Sequence, residues 1–109
     1  MNGREIKAAA IQMSSTPNKE ENLETAERLV RSAVSSGADL VTLPELWSCH
    51  GLEDVYTDNA EPVPGPTTEF LGALARELVV YLLGGSILEK AHPPQNCIIH
   101  RRSMGPTVG

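Results

Sequence analysis

The chain has 109 residues, enough for one small domain, and 40% hydrophobic with 21% charged residues is a globular composition. A net charge of −5 gives no positive field for phosphate backbones, and no apolar run approaches the roughly 20 residues of a membrane span. We therefore expect neither nucleic acid nor a membrane as a partner. The start shows no signal-peptide pattern, which predicts a cytoplasmic location. The two cysteines, Cys49 and Cys97, are too few for a disulfide framework and are predicted to be free thiols.

The first elements are a strand and a helix. Residues 6–13 form a short apolar run that favours a buried strand. Asn18, with Glu21 three residues later, is typical of a helix N-cap. Apolar side chains then recur at helical spacing: Leu23, Ala26, Val30, Ala33 and Val34. Gly37 predicts the end of this helix, because glycine adopts the left-handed geometry found there without steric cost.

A second strand over residues 38–43 is ended by Pro44, which lacks an N–H for the sheet. Residues 48–65 read as a loop with room for a short helix. Thr67 or Thr68 is predicted to cap the next helix, which carries an apolar stripe: Phe70, Leu71, Leu74, Ala75 and Leu78.

A third strand is predicted over residues 79–83 and a fourth over residues 96–100, while the tail shows no periodicity. Strands alternating with helices predict an α/β layered sheet, parallel over at least its first three strands.

The chemistry is expected at the end of the second strand, because open α/β sheets form their sites beyond the carboxyl ends of strands. Glu45 stands at that place, directly after Pro44. A carboxylate partly desolvated by the strand and by Trp47 suits a general base, whereas a loop carboxylate facing solvent would have no such role. Position alone does not decide between these two interpretations.

Several segments, in their order and spacing, resemble the nitrilase or carbon-nitrogen hydrolase superfamily. They are residues 7–13, the helix with Asn22, residues 37–45 with Leu43-Pro44-Glu45 at their end, residues 64–68, and Gly84-Gly85-Ser86-Ile87. The resemblance implies the N-terminal part of a nitrilase-like four-layer αββα sandwich. It also implies a Glu-Lys-Cys triad that hydrolyses a small-molecule amide or nitrile with no metal or organic cofactor. Glu45 matches the triad glutamate, and the complete protein is expected to form a homo-oligomer.

The other triad members have no match in this sequence. Lys7, Lys19 and Lys90 do not stand where the family lysine is expected, and Cys49 and Cys97 precede the expected nucleophile. Residues 1–109 are therefore expected to form a single, incomplete domain that does not hydrolyse substrate by itself. The rival hypothesis is a non-catalytic fragment that binds a full-length relative through an unpaired sheet edge. An uncovered apolar sheet face predicts aggregation of the isolated chain.

Three other features carry residue types that can form sites. A zinc site from Cys49, His50, Cys97 and His100 is disfavoured, because neighbours in an extended segment diverge. Gly84-Gly85-Ser86 lacks the spacing of a phosphate loop and is better explained as a sharp strand end. Trp47 either lines a pocket or fills the core, and the core is favoured.

Overall fold

The computed structural model describes residues 5–90, 99–103 and 106–107, the last two ranges by their backbone alone. The elements in chain order are β1 (Ala8–Ala10), α1 (Lys19–Ser35), β2 (Leu40–Thr42), α2 (Glu53–Asn59), α3 (Pro66–Leu78), β3 (Tyr81–Leu83), β4 (Ser86–Lys90), β5 (Ile99–Ser103) and β6 (Pro106–Thr107). This order confirms the predicted α/β class and the short helix between residues 48 and 65.

The main sheet has the strand order β1-β2-β3-β6, and β4 pairs with β5 in a separate two-stranded sheet. As predicted, β1, β2 and β3 are parallel, whereas β6 runs antiparallel to β3. Ala9, Val41 and Leu82 are neighbours across the parallel strands, so they share one face of the sheet. α1 and α3 contact each other as well as the sheet, and their buried side chains form the core with this face.

α1 forms as its sequence predicts. The Asn18 side chain accepts a hydrogen bond from the Glu21 amide at 3.1 Å, which confirms the N-cap. The apolar stripe is confirmed too, with every member in the core or packed against it: Leu23, Ala26, Val30, Ala33 and Val34. Gly37 follows the helix with a φ of +102°, the left-handed geometry expected there.

α3 begins earlier than predicted. Gly65 is the N-cap, and Pro66 is the first helical residue. The Thr68 hydroxyl accepts a hydrogen bond from the Gly65 amide at 2.7 Å, so Thr68 completes the cap from inside the first turn. The prediction of Thr67 or Thr68 as the N-cap was therefore wrong, because Pro66 fits the first helical position. The predicted stripe is confirmed.

The strand after Gly84-Gly85 was missed by the sequence prediction, which placed no strand between residues 83 and 96. β4 starts at Ser86, only three residues after β3 ends, and Ile87 in it is buried. Two glycines let the chain leave one sheet and enter another at once. Of the predicted strand 96–100, residues 96–98 lie outside the described part, and residues 99 and 100 open β5, which continues to Ser103.

The face of the main sheet opposite the helices is much less buried. Ala8, Leu40 and Tyr81 are neighbours on this face, and Tyr81 is 54% exposed. Ala8 and Ala10 are exposed as well, while Leu40 and Leu83 are half-buried. We call this surface, defined by those five residues, the open face. The described helices include none with both the length and the apolar character of a membrane span.

Candidate active site at the end of β2

Glu45 lies in a turn that begins where β2 leaves the sheet. β2 ends at Thr42, and the Leu43 amide still donates to the Leu83 carbonyl oxygen at 2.9 Å. After Pro44 the chain turns over residues 45–48, and Leu46 adopts a positive φ of 47°. The Leu46 amide donates to the Ser86 hydroxyl at 3.0 Å. The turn is thereby tied to the start of β4.

A concavity of about 390 Å³ opens between this turn and the loop that connects β1 to α1. Its lining residues are Met13, Ser14, Ser15, Glu45, Leu46 and His50. Glu45 therefore lies at the carboxyl ends of parallel strands, in a cleft between two successive loops, as sequence reasoning predicted. Of the two interpretations left open by the sequence, the structure combines parts of both, because Glu45 lines a concavity and is exposed to solvent.

Trp47 belongs to the core, which confirms the favoured interpretation. Its indole Nε1 donates to the Gly84 carbonyl oxygen at 2.7 Å, and its ring lies 6.3 Å from that of Phe70, centroid to centroid. Gly85 is required beside it, since a Cβ at this position would lie 2.1 Å from the Pro44 carbonyl oxygen. Gly85 also has a φ of +66°, which fits the predicted sharp end of the strand, and the close packing against Pro44 is a further reason for glycine here.

Cys49 and His50 do not form a metal site among the described residues, where no group of three possible ligands occurs. Cys49 is a free, buried thiol whose Sγ lies 3.7 Å from the Pro17 carbonyl oxygen. Burial raises the pKa of the Cys49 thiol, against the opposing effect of the Lys19 charge. His50 Nδ1 lies 3.3 Å from the Tyr56 hydroxyl. Cys97 and the side chain of His100 lie outside the described residues.

Two buried polar residues near the helix starts received no role from the sequence. Asn22 is 1% exposed and hydrogen-bonds the two loops that line the concavity. Glu61 accepts hydrogen bonds from Lys19 Nζ at 2.8 Å and from the Thr67 amide at 2.6 Å. Asn22 is a polar residue on the apolar stripe of α1, and this pattern is the signal that could have identified it. No comparable signal marks Glu61, because it lies in an irregular segment.

The described lysines and cysteine are not part of the concavity lining. Lys19 forms an ion pair with Glu61, and Lys7 lies beside Gly37 at the opposite end of α1. Cys49 is enclosed between Pro17 and Val55. The site as described therefore has one carboxylate, the hydroxyl groups of Ser14 and Ser15, and the imidazole of His50.

Comparison with known proteins identifies a family over almost the whole chain, since the carbon-nitrogen hydrolase family matches residues 7–104. The omega-amidase NIT2-A of Xenopus laevis is 36% identical over 85 residues, which make up 78% of this chain and 31% of the relative. The deaminated glutathione amidase of Synechocystis is 42% identical over 78 residues, 72% of this chain and 29% of the relative. The chain thus spans less than a third of these relatives.

Solved structures agree on the fold. Saccharomyces cerevisiae Nit3, a member of branch 10 of the nitrilase superfamily, matches with a TM-score of 0.77 and 28% identity over 90% of this chain and 38% of that protein. XC1258 from Xanthomonas campestris, a CN-hydrolase superfamily protein, has a TM-score of 0.62 at 18% identity, which supports the fold alone. These matches confirm the predicted N-terminal part of a nitrilase-like α/β sandwich.

Proposed function

The chain belongs to the carbon-nitrogen hydrolase family, and on that premise we propose that it provides the general base, Glu45, for the hydrolysis of a small amide. The observation that carries this proposal is the position of Glu45, in a concavity at the carboxyl ends of parallel strands. Ligand sites of open α/β sheets form in such places. An amide is favoured over a nitrile because the relatives named above are amidases.

The proposed chemistry is nucleophilic catalysis with a Glu-Lys-Cys triad. A cysteine thiol gives its proton to Glu45 while its sulfur attacks the amide carbon. The lysine stabilises the negative charge on the oxygen of the tetrahedral intermediate. Glu45 then returns the proton to the leaving nitrogen, ammonia departs, and water, deprotonated by Glu45, hydrolyses the remaining thioester to a carboxylic acid. No metal or organic cofactor takes part in this scheme.

In this proposal the lysine and the cysteine belong to the part of the family domain that these 109 residues do not match. Lys19 and Cys49 are occupied elsewhere, in the ion pair with Glu61 and in the core, and neither lines the concavity. The 109 residues are then one part of a hydrolase domain and do not turn over substrate alone. The homo-oligomer and the cytoplasmic location stay predictions.

The second candidate is a non-catalytic interaction module. The open face favours it, since an apolar sheet surface with Tyr81 half in solvent is suited to contact another protein. In this alternative the chain binds a full-length relative and Glu45 has no chemical role.

A chimera tests the role of Glu45 directly. The 85 residues that match the Xenopus laevis omega-amidase replace the corresponding segment of that enzyme, and ammonia release from an ω-amide is measured. We expect Glu45→Gln to lower kcat/KM by about 10²–10⁴-fold, the usual contribution of a general base. Glu53→Gln is the matched control, because Glu53 is an exposed carboxylate in the nearby helix α2. An active chimera that tolerates Glu45→Gln as well as Glu53→Gln would sink the proposal.

A further inference from the structure

The concavity around Glu45 is formed by two loops. Ser14 and Ser15 belong to the β1–α1 loop, whereas Glu45, Leu46 and His50 follow β2. Glu45 lies three residues beyond the last residue of β2, so the strand does not hold it directly. The shape of the concavity therefore depends on whatever fixes these two loops relative to each other.

Asn22 contacts both loops at once. Its Oδ1 accepts a hydrogen bond from the Thr16 amide at 2.9 Å, and its Nδ2 donates to the Thr16 carbonyl oxygen at 2.7 Å. Nδ2 also donates to the Ser48 carbonyl oxygen at 2.9 Å, across the gap between the loops. The side-chain amide thus uses its acceptor and both of its donor hydrogens.

The two loops also contact each other directly through hydrogen bonds. The His50 amide donates to the Thr16 carbonyl oxygen at 3.0 Å, and the Ser15 hydroxyl donates to the Trp47 carbonyl oxygen at 2.5 Å. Asn22 differs from these groups because it belongs to the long helix α1, which Ala26 and Val30 anchor in the core. It therefore connects the rigid part of the fold to both walls of the concavity.

Asparagine is the side chain that this position requires. Leucine has nearly the same size but leaves the Thr16 amide without its acceptor and removes the Asn22 donor from the Ser48 carbonyl oxygen. Aspartate retains an acceptor for the Thr16 amide and loses both donated bonds.

We propose that Asn22 is a positioning residue for Glu45, holding the β1–α1 loop and the turn after β2 in the relation that forms the concavity. This inference rests on the proposed function, because it assigns Asn22 a role in placing the general base. The helix provides the fixed point, and the side-chain hydrogen bonds of Asn22 fix both loops relative to it.

The test compares Asn22→Leu with Val30→Ala in the full 109-residue chain. Val30 is buried on the same side of α1, so its truncation weakens the core without touching either loop. Hydrogen exchange of the His50 and Leu46 amides is followed by NMR, together with the side-chain carboxyl signal of Glu45. The His50 and Leu46 amides donate to Thr16 and Ser86 rather than to Asn22, so a change in their exchange reports loop position.

We expect Asn22→Leu to speed exchange of the His50 and Leu46 amides by about tenfold or more relative to the core amide of Val41, and to move the Glu45 carboxyl signal. Val30→Ala should change all three amides in proportion and leave the carboxyl signal in place. Asn22→Asp provides a second variant with the same direction of change, because its buried carboxylate meets the Thr16 and Ser48 carbonyl oxygens without a donor.

The inference is overturned if Asn22→Asp and Val30→Ala give the same pattern, or if the His50 amide is unprotected in the unmodified chain. These readouts are independent of turnover, and Glu45→Gln should leave the amide protection unchanged. If the loop amides are protected but the chimera tolerates Glu45→Gln, the proposed function is therefore rejected. The structural role of Asn22 then stands.

Discussion

The two faces of the main sheet use alternate residues of the same three strands and differ sharply in burial. Val41 and Leu82 are fully buried under α1 and α3, whereas Tyr81, next to Leu82 in the chain, is 54% exposed on the open face. Both faces are apolar, so composition does not distinguish them. The difference shows that burial under the helices, rather than the residue types in the strands, decides which face of the sheet contributes to stability.

α1 and α3 are connected near both of their ends by charged side chains, which are buried at one end and exposed at the other. Near their starts, the buried Glu61 carboxylate joins Lys19 of α1 to Thr67 of α3. Farther along, exposed Arg31 of α1 pairs with Glu77 of α3 and lowers the pKa of that carboxyl group through hydrogen bonds. Solvent screens the second pair, so only the buried pair is expected to matter for stability.

The largest effect is expected from removal of the buried carboxylate. Glu61→Ala leaves Lys19 without its charged partner and the Thr67 amide without its acceptor, which should cost about 3–5 kcal/mol of unfolding free energy. Urea unfolding of the dilute chain measures the loss. Glu24→Ala, at an exposed position in the middle of α1, is the control and should change little. An equal loss in both variants would contradict a structural role for the buried pair.

The next prediction compares the two faces at adjacent positions. Leu82→Ala should cost about 2–5 kcal/mol, because it opens a cavity under the helices. Tyr81→Thr, on the open face, should change the unfolding free energy by about 0.5 kcal/mol or less. The same urea experiment measures both. Similar losses at the two positions would show that the open face is covered in solution.

The smallest effect on stability, with a clear effect on association, is expected from a charge on the open face. The unmodified chain should associate through this face, and Tyr81→Lys should weaken that association, because a charged side chain resists burial. Sedimentation velocity over a range of concentrations gives the comparison. Leu52→Lys, 80% exposed and outside the sheet, is the control. An unmodified chain that stays monomeric over this concentration range would contradict this prediction.

Local sequence patterns determined most of the elements. The Asn18 cap, the apolar stripes of α1 and α3, and the end of α1 before Gly37 were all predicted because they follow from helical periodicity and residue geometry. The position of Glu45 beyond β2 was predicted as well, since Pro44 breaks the strand pattern just before it. These features depend on residues close together in the chain.

The tertiary structure alone decided which loops meet. The contacts of Asn22 with Ser48 and of Lys19 with Glu61 join residues 26 and 42 positions apart, and no local pattern encodes them. The separate pairing of β4 was likewise missed, and the sequence left the exposure of Glu45 undecided, because each depends on how distant segments pack. Sequence periodicity specifies the face that an element buries, whereas the partner on that face is selected only when the whole chain folds.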